Sequence, residues 1–222
     1  DLGQSHLQHG GLRWRVDNGG MQVSSTADDY VIRVHSDPAE IDPFAWDGLL
    51  AVQAHPLPFM RSAYLRALHD SGSAVAATGW QPQFITLWCG TGAQRELAAA
   101  CAMYLKSHSY GEYVFDWAWA DAYERHGHEY YPKLLNAIPF TPVGGPRMLA
   151  ESSEVRALLA QQALALVRDK QISSLHCLFP QPEDAACFAG LKMMVRHGVQ
   201  FHWVNEGDTD FEQYLQRMNH AK

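Results

Sequence analysis

Apolar positions along the chain form two kinds of segment, which predict strands and helices in alternation. Short runs rich in β-branched and aromatic residues predict strands, and they occupy residues 30–34, 83–88, 97–105, 134–140, 174–179 and 199–204. Apolar residues at helical spacing, bounded by capping residues, Gly or Pro, predict helices, and these occupy residues 42–50, 59–70, 119–126, 153–169 and 182–198. A glycine turn joins the second and third strands, which are therefore expected to form a hairpin.

This alternation favours a mixed α/β sheet with helices on both faces. The chain has 222 residues and suits one large domain, which we place at residues 30–222. Residues 1–29 are rich in Gly, Ser, His and Asp and are expected to form a tail or a loose hairpin, with a short strand at 12–16. Pro139 removes a ladder donor from the strand at 134–140 and so predicts an edge or a bulge.

Charge and cysteine content narrow the classes of function. The 17 Lys and Arg residues against 24 Asp and Glu give a formal net charge of −7, which disfavours a broad nucleic-acid-binding face. No run approaches about 18 apolar residues, so no membrane span is expected. The four cysteines lie far apart in the sequence, which favours reduced thiols and a cytoplasmic location.

The densest chemistry lies in residues 106–133, where titratable and aromatic side chains crowd together. Loops of this composition suit ligand binding and proton transfer. Glu112 and Asp116 are candidates for a general base or for the anchor of an amine. Each could equally be a solvated charge or a helix cap, and the sequence leaves both readings open.

A glycine pair, Gly144-Gly145, lies between a predicted strand and a predicted helix. Glycines let backbone N–H groups approach a phosphate, and a helix N-terminus adds positive potential. Arg147 nearby could hold a phosphate in a bidentate manner. The alternative interpretation is an ordinary Gly-Pro turn.

Histidines provide two weaker candidates. His126, His128 and Glu129 could contribute to a zinc site, but no fourth ligand is evident and surface histidines at a helix end are far more common, so no metal is predicted. In the run 199–204, alternation puts Gln200 and His202 on one strand face. His202 could line a cleft, although a satisfied core histidine is slightly favoured.

Three stretches together resemble one known family. They are KSHSYGEYVFDWAWADAYERHGHEYYPKLLNAIPFTPVGGPRML at 106–149, SSLHCLF at 173–179 and QFHWVN at 200–205. They resemble the FemAB-like proteins, a group of peptidoglycan biosynthesis or recognition proteins in the GNAT (N-acetyltransferase) superfamily. The weaker stretch at 65–83 fits the same family, and the likeness covers roughly residues 30–216.

The resemblance implies a GNAT-like fold, with this chain as mainly the first half of a longer two-domain protein. Residues 134–140 would be the central strand, 174–179 its splayed partner and 141–147 the pyrophosphate loop of an acyl-CoA site. The implied loop contacts are Thr141, Val143, Gly144, Gly145 and Arg147. The loop has no leading basic or amide residue, and Pro146 has no N–H to donate.

The resemblance also implies an N-acyltransferase, in which acetyl-CoA or another acyl-CoA is the co-substrate and a small-molecule or peptide amine is the acceptor. Glu112 or Asp116 would be the base, and Tyr110 or Tyr123 the acid that protonates the leaving thiolate. The expected substrate contacts are His108, Ser109, Trp117, Trp119 and His202.

Two further functions stay open from the sequence. The chain could be a non-catalytic module that binds a glycan, a peptide or a partner half through its aromatic residues. A weaker hypothesis is aminoacyl transfer from a charged tRNA, against which the net charge argues. The expected protein partner is a second GNAT half or a second copy of the chain.

Overall fold

The computed structural model describes residues 30–91 and 94–218 fully, together with the backbone of residue 29 and of three N-terminal strands. In this part of the chain the strands form two sheets. The first sheet is antiparallel throughout and runs in the order β1 (Gln8–His9), β2 (Leu12–Asp17), β3 (Gly20–Ser24), β4 (Asp29–His35), β6 (Phe84–Cys89), β7 (Glu96–Cys101) and β10 (Leu149–Ala150).

The second sheet is the one that positions the candidate site. Its order is β11 (Leu175–Cys177), β9 (Lys133–Asn136), β8 (Met103–Lys106) and β5 (Trp80–Pro82). The pair β11 and β9 is parallel, whereas the other pairs are antiparallel. The predicted mixed arrangement is therefore confirmed, but as two sheets rather than one.

The hairpin predicted from 83–88 and 97–105 forms, and it spans both sheets. Strands β6 and β7 pair in the first sheet, with Ile85 opposite Cys101. Each arm breaks at one residue, Gln83 or Ala102, and continues into the second sheet as β5 or β8. The backbone N–H of Gln83 donates to the carbonyl of Met103 at 2.7 Å, which ties the two breaks together.

Helices cover both faces because neighbouring strand residues alternate between two cores. Leu134 and Ile85 pack in the core that contains Leu159, whereas Leu135 and Phe84 pack in the opposite core. The helices are α1 (Pro43–Ala51), α2 (Ser62–Asp70), α3 (Trp117–Arg125), α4 (Ser153–Asp169), α5 (Pro182–Gly190) and α6 (Phe211–Arg217). No helix in the described residues is both long enough and apolar enough to cross a bilayer.

Capping residues explain the helix starts. The Asp42 carboxylate accepts from Phe44 N at 3.0 Å at the start of α1, and the Ser152 hydroxyl accepts from Val155 N at 3.3 Å at the start of α4. Helix α4 thus matches its prediction, with Ser152 rather than Ser153 as the cap. Helix α2 begins at Ser62, later than predicted, because residues 58–60 form a separate 3₁₀ turn.

Three predicted elements are shorter than expected or absent. The strand at 134–140 ends at Asn136, because its pairing with β8 and with β11 ends at that residue. Further on, Phe140 has a positive φ of 58° and its N–H donates to Gly111 O. The helix at 182–198 ends at Gly190, since Lys192 also has a positive φ. Residues 199–204 form no strand and are exposed, because no described strand lies beside them.

The structure describes only part of the N-terminal region, where a tail or a loose hairpin is predicted. The short strand predicted at 12–16 corresponds to β2, which pairs with β3. The remaining parts of the tail or loose hairpin, at 1–7, 10–11, 18–19 and 25–28, lie outside the described residues. The placement of one domain at 30–222 stays a prediction.

Candidate functional site

Two lysines are buried side by side in the second sheet. Lys106 of β8 and Lys133 of β9 are directly opposite each other in the antiparallel register, and both are fully buried. Like charges in such a position repel each other, so other groups must compensate. The two lysines and the polar groups around them form the Lys133 cluster, which consists of Lys106, Ser109, Glu112, Asp116, Tyr130, Tyr131, Lys133, Ser174 and His176.

The Lys133 ammonium is held by three oxygen atoms. Its Nζ donates to Ser109 Oγ at 2.8 Å, to Glu112 Oε2 at 2.8 Å and to Asp116 Oδ2. An ammonium has three N–H donors, so all of them are used. Lys133 therefore fixes the segment after β8 onto the sheet.

Asp116 is the most heavily hydrogen-bonded carboxylate in the cluster. Its Oδ2 accepts from Lys133, from Ser109 at 2.8 Å and from the Tyr130 hydroxyl at 2.7 Å. Burial acts to raise the pKa of Asp116, but the hydrogen bonds from Lys133 and Tyr130 outweigh it and lower the pKa. Asp116 is thus a stable carboxylate.

Glu112 lies in a different environment although it shares the Lys133 ammonium. Burial raises the pKa of Glu112 above its ordinary value. Its Oε1 atom is buried and has no hydrogen-bond partner among the described residues. Of the two carboxylates, Glu112 has the stronger tendency to take up a proton.

Lys106 makes fewer polar contacts than Lys133. Its Nζ lies 3.6 Å from the centroid of the Trp80 ring and donates to Tyr110 O at 3.3 Å. Burial lowers the pKa of Lys106 to about 7, with Lys133 adding to the effect and Glu112 opposing it. Lys106 can therefore exchange a proton near neutral pH.

The cluster reaches the surface through half-buried hydroxyl groups and one imidazole. Ser109 Oγ contacts Tyr131 OH at 2.8 Å, and Ser174 Oγ contacts His176 Nε2 at 2.9 Å. His176 also lies 3.4 Å from Tyr130 OH. Burial lowers the pKa of His176 to about 4, so this ring is neutral at physiological pH.

Exposed aromatic side chains border the cluster. Along residues 110–117, Glu112 and Asp116 point inward, whereas Tyr110, Phe115 and Trp117 are exposed. The rings of Tyr110 and Trp117 are 6.2 Å apart in an edge-to-face arrangement. The inward carboxylates hold the segment on the sheet, and its aromatic residues form a surface that is typical of binding sites.

The structure brings some predicted residues to the cluster and separates others. Glu112, Asp116 and Ser109 belong to it, and Tyr123 touches it by packing its ring 5.2 Å from Tyr130. Tyr110, Trp117 and Trp119 are exposed, while the His108 ring packs on Gly79. His202 is exposed and makes no hydrogen bond or ring contact with the cluster in the described part of the chain.

Packing explains one glycine of the pair, Gly145. A Cβ atom on Gly145 would lie 1.9 Å from Leu57 Cδ1, whereas one on Gly144 would meet nothing within 4 Å. Gly145 N donates to Phe179 O at 3.1 Å. A side chain at position 145 would displace Leu57, and the Gly145 N–H is already engaged.

Arg147 also faces inward. It is 1% exposed, and its guanidinium donates to three carbonyl oxygens, which belong to Leu178, Val143 and Pro146. Burial lowers the pKa of Arg147 to about 10. Because Arg147 and Gly145 are engaged within the protein, the residues at 141–147 do not fit the pyrophosphate of an acyl-CoA.

The splaying of 134–140 and 174–179 that the resemblance implies stays a prediction, since the two segments pair only over their first part. Strands β9 and β11 pair from Leu134 with Leu175 to Asn136 with Cys177, and Leu178 N still donates to Asn136 O at 3.0 Å. Beyond Asn136 the chain leaves the sheet, and further along Gly145 forms an isolated parallel β-bridge with Pro180.

No group of three or more His, Cys, Asp or Glu side chains is placed to hold a metal ion in the described residues. His126 and His128 are exposed, and His126 Nδ1 contacts its own helix at Ala122 O at 2.7 Å. This geometry corresponds to the surface reading of these histidines.

Sequence reasoning missed six members of the site, which are Lys106, Tyr130, Tyr131, Lys133, Ser174 and His176. Lys106, Tyr130, Tyr131 and Lys133 lie within the segment 106–133 that was singled out. Lysine is seldom buried unless it is paired, and the sequence does not show that these lysines have partners. Lys106 and His176 join the site only because β8 and β11 flank β9. The neighbouring residue Cys177 packs against the core, on the opposite face of β11 from His176.

Comparison with known proteins is consistent with the resemblance. A family model described as peptidoglycan biosynthesis/recognition matches residues 37–222. Neither the curated proteins nor the solved structures give a significant match. The matched region includes the whole Lys133 cluster and covers far more than half of the sequence. The chain therefore belongs to the FemAB-like family of peptidoglycan biosynthesis/recognition.

Proposed function

We propose that this protein transfers an acyl group to an amine of a peptidoglycan precursor, and that the Lys133 cluster is the site of the transfer. The observation that carries the proposal is the shared contact of Glu112, Asp116 and Ser109 with the Lys133 ammonium. This arrangement provides a proton acceptor, a fixed positive charge and an exit to the surface in one place.

The reaction needs a destination for one proton. The amine nitrogen attacks the carbonyl carbon of an activated acyl group, the N–C bond forms and the bond to the leaving group breaks. The nitrogen then loses a proton to the cluster, and the leaving group takes up a proton. Exposed Tyr110 is the proposed acid, and Tyr123 is the alternative.

The proposed proton acceptor is Glu112, because its pKa is raised by burial and its Oε1 is unpartnered in the described part of the chain. Half-buried Ser109 links the surface with both carboxylates. It contacts Asp116 directly and reaches Glu112 through Lys133. Asp116 keeps its charge and orients Ser109, Tyr130 and Lys133.

The test is an amine-acylation assay with a peptidoglycan-derived peptide that carries a free amine and with an acetyl thioester donor. Glu112→Gln should lower kcat about 100-fold or more while leaving acceptor binding within about threefold. Exposed Glu129 in the same segment provides the control, since Glu129→Gln should keep full activity. Unchanged turnover by Glu112→Gln would contradict the proposed role.

A second candidate function is recognition without turnover. It is favoured by the closed turn at 141–147, where Gly145 and Arg147 are engaged within the protein, and by the exposed ring of Trp117. In that case calorimetry would detect acceptor binding that Trp117→Ala abolishes, and no donor would give a product.

A further inference from the structure

We infer that the protein's own Asp184 carboxylate occupies the phosphate position of the turn at 141–148, so that the acyl donor is recognised without its diphosphate. The inference rests on the proposed function in one respect, which is that the protein uses an acyl donor. The occupation of the turn by Asp184 does not depend on that function. It predicts a donor class in which the acyl thioester and its pantetheine-like arm are sufficient.

The backbone donors of the turn are almost all engaged. Arg147 N donates to Asp184 Oδ2 at 2.7 Å, and Met148 N donates to the same atom at 3.3 Å. Val143 N donates to Thr141 O at 2.9 Å. Two successive N–H groups aimed at one carboxylate oxygen have the geometry by which a turn binds an anion, and here the anion is a side chain.

A cationic side chain completes this internal anion site. Arg156 of helix α4 lies with its Nε 3.1 Å from Asp184 Oδ1. Asp184 itself is 1% exposed, and it lies in the first turn of α5, where a helix favours negative charge. The cations and dipoles that a diphosphate would need are thus already neutralised by Asp184.

The remaining donors do not compensate. Pro142 and Pro146 have no N–H, and the Arg147 guanidinium donates to carbonyl oxygens. Gly144 is the residue of the turn whose N–H makes no hydrogen bond within the described residues. A phosphate at Gly144 would meet one backbone donor, because the N–H groups of Arg147 and Met148 are already occupied by the Asp184 carboxylate.

The first measurement does not depend on activity. Backbone amide NMR signals of the full chain are followed during titration with inorganic pyrophosphate and with adenosine 3′,5′-diphosphate, up to about 10 mM. We expect no saturable shift at Gly145, Arg147 or Met148. A saturable shift of these three signals at low millimolar ligand would overturn the inference.

A variant provides the positive control for this titration. Asp184→Ala removes the internal anion and leaves Arg147 N, Met148 N and Arg156 open to another one. Provided that its amide spectrum remains dispersed, pyrophosphate should now shift these signals. Glu183→Ala, at the exposed neighbouring position, should behave like the unmodified protein.

The second measurement compares donors in the acylation assay. The inference predicts that acetyl-CoA and S-acetylpantetheine, which lacks the diphosphate, give kcat/KM values within about threefold of each other. An advantage of acetyl-CoA above about 30-fold would overturn it. If neither donor is used, the proposed function fails, and the NMR titration still decides whether the turn is closed.

Discussion

The Lys133 cluster and the turn around Asp184 are both networks of buried charge, yet their carboxylates have different kinds of partner. At the turn, Asp184 accepts from two backbone N–H groups and faces Arg156, and Arg147 donates to three carbonyl oxygens. In the cluster, Glu112 keeps an unpartnered oxygen in the described part of the chain, and Ser109 is half-buried. A carboxylate held by backbone N–H groups anchors a turn, whereas a carboxylate with an unpartnered oxygen near a half-buried hydroxyl group is a candidate for proton exchange.

The largest expected effect is a loss of unfolding free energy when the Lys133 cluster loses its cation. Lys133→Met would leave Glu112 and Asp116 buried without their shared cation, and unfolding free energy should fall by about 3–5 kcal/mol. Urea denaturation at pH 7 measures the change. Lys192→Met, at an exposed position, is the control, and a similar small loss in both variants would contradict the account.

The turn should be somewhat less sensitive to loss of charge, because its partners are mostly backbone groups. Asp184→Asn keeps the shape of the side chain but weakens its hydrogen bonds with Arg147 N and Met148 N. We expect a loss of about 2–3 kcal/mol, measured in the same way, against no change in Glu183→Gln. A neutral Asp184→Asn would mean that the carboxylate is not what holds the turn.

The glycine pair sharpens the comparison at the level of packing. Gly145→Ala should cost about 2 kcal/mol because the new Cβ overlaps Leu57, whereas Gly144→Ala should stay within about 0.5 kcal/mol. In a Leu57→Ala background the cost of Gly145→Ala should largely disappear. An undiminished cost in that background would show that Gly145 serves something other than Leu57.

The smallest effect is a pH dependence in the cluster. The pKa of His176 is lowered from 6.5 to about 4, so the unfolded chain takes up this proton first as the pH falls. The His176 contribution to stability is present above pH 6.5 and is lost between there and about pH 4.

This pH dependence can be isolated with paired variants. Between pH 7 and pH 4.5, His176→Gln should lose about 1–2 kcal/mol less stability than the unmodified protein. His202→Gln, at an exposed position, should follow the unmodified protein. Parallel stability curves for all three proteins would contradict burial of a neutral His176.

The sequence predicts the local features of this molecule, but it does not predict those that depend on pairing between strands. Helix α4 and the hairpin of β6 and β7 follow from apolar spacing and turn residues. Residues 199–204 show a similar local pattern of alternating side chains, yet they form no strand. A strand needs a neighbouring strand to pair with, and a local pattern does not identify that neighbour.

The residues of the site differ in the same way in how well the sequence predicts them. Glu112, Asp116 and Ser109 stand out because they crowd one short segment. Lys106 and His176 come from β8 and β11, and only the order of strands around β9 brings them to Lys133. Asp184 opens a helix in the sequence, and its second role, holding the turn at 147–148, depends on a contact between residues 37 positions apart.

The central claim is that acceptor chemistry takes place at the Lys133 cluster and away from the glycine turn. Its most direct test is NMR mapping of a peptidoglycan-derived peptide with a free amine onto the full chain. The account predicts saturable shifts at Ser109, Glu112, Trp117 and Tyr131, with the signals of 143–148 unmoved. Shifts confined to the turn, or a peptide that leaves residues 108–117 unperturbed at saturation elsewhere, would contradict it.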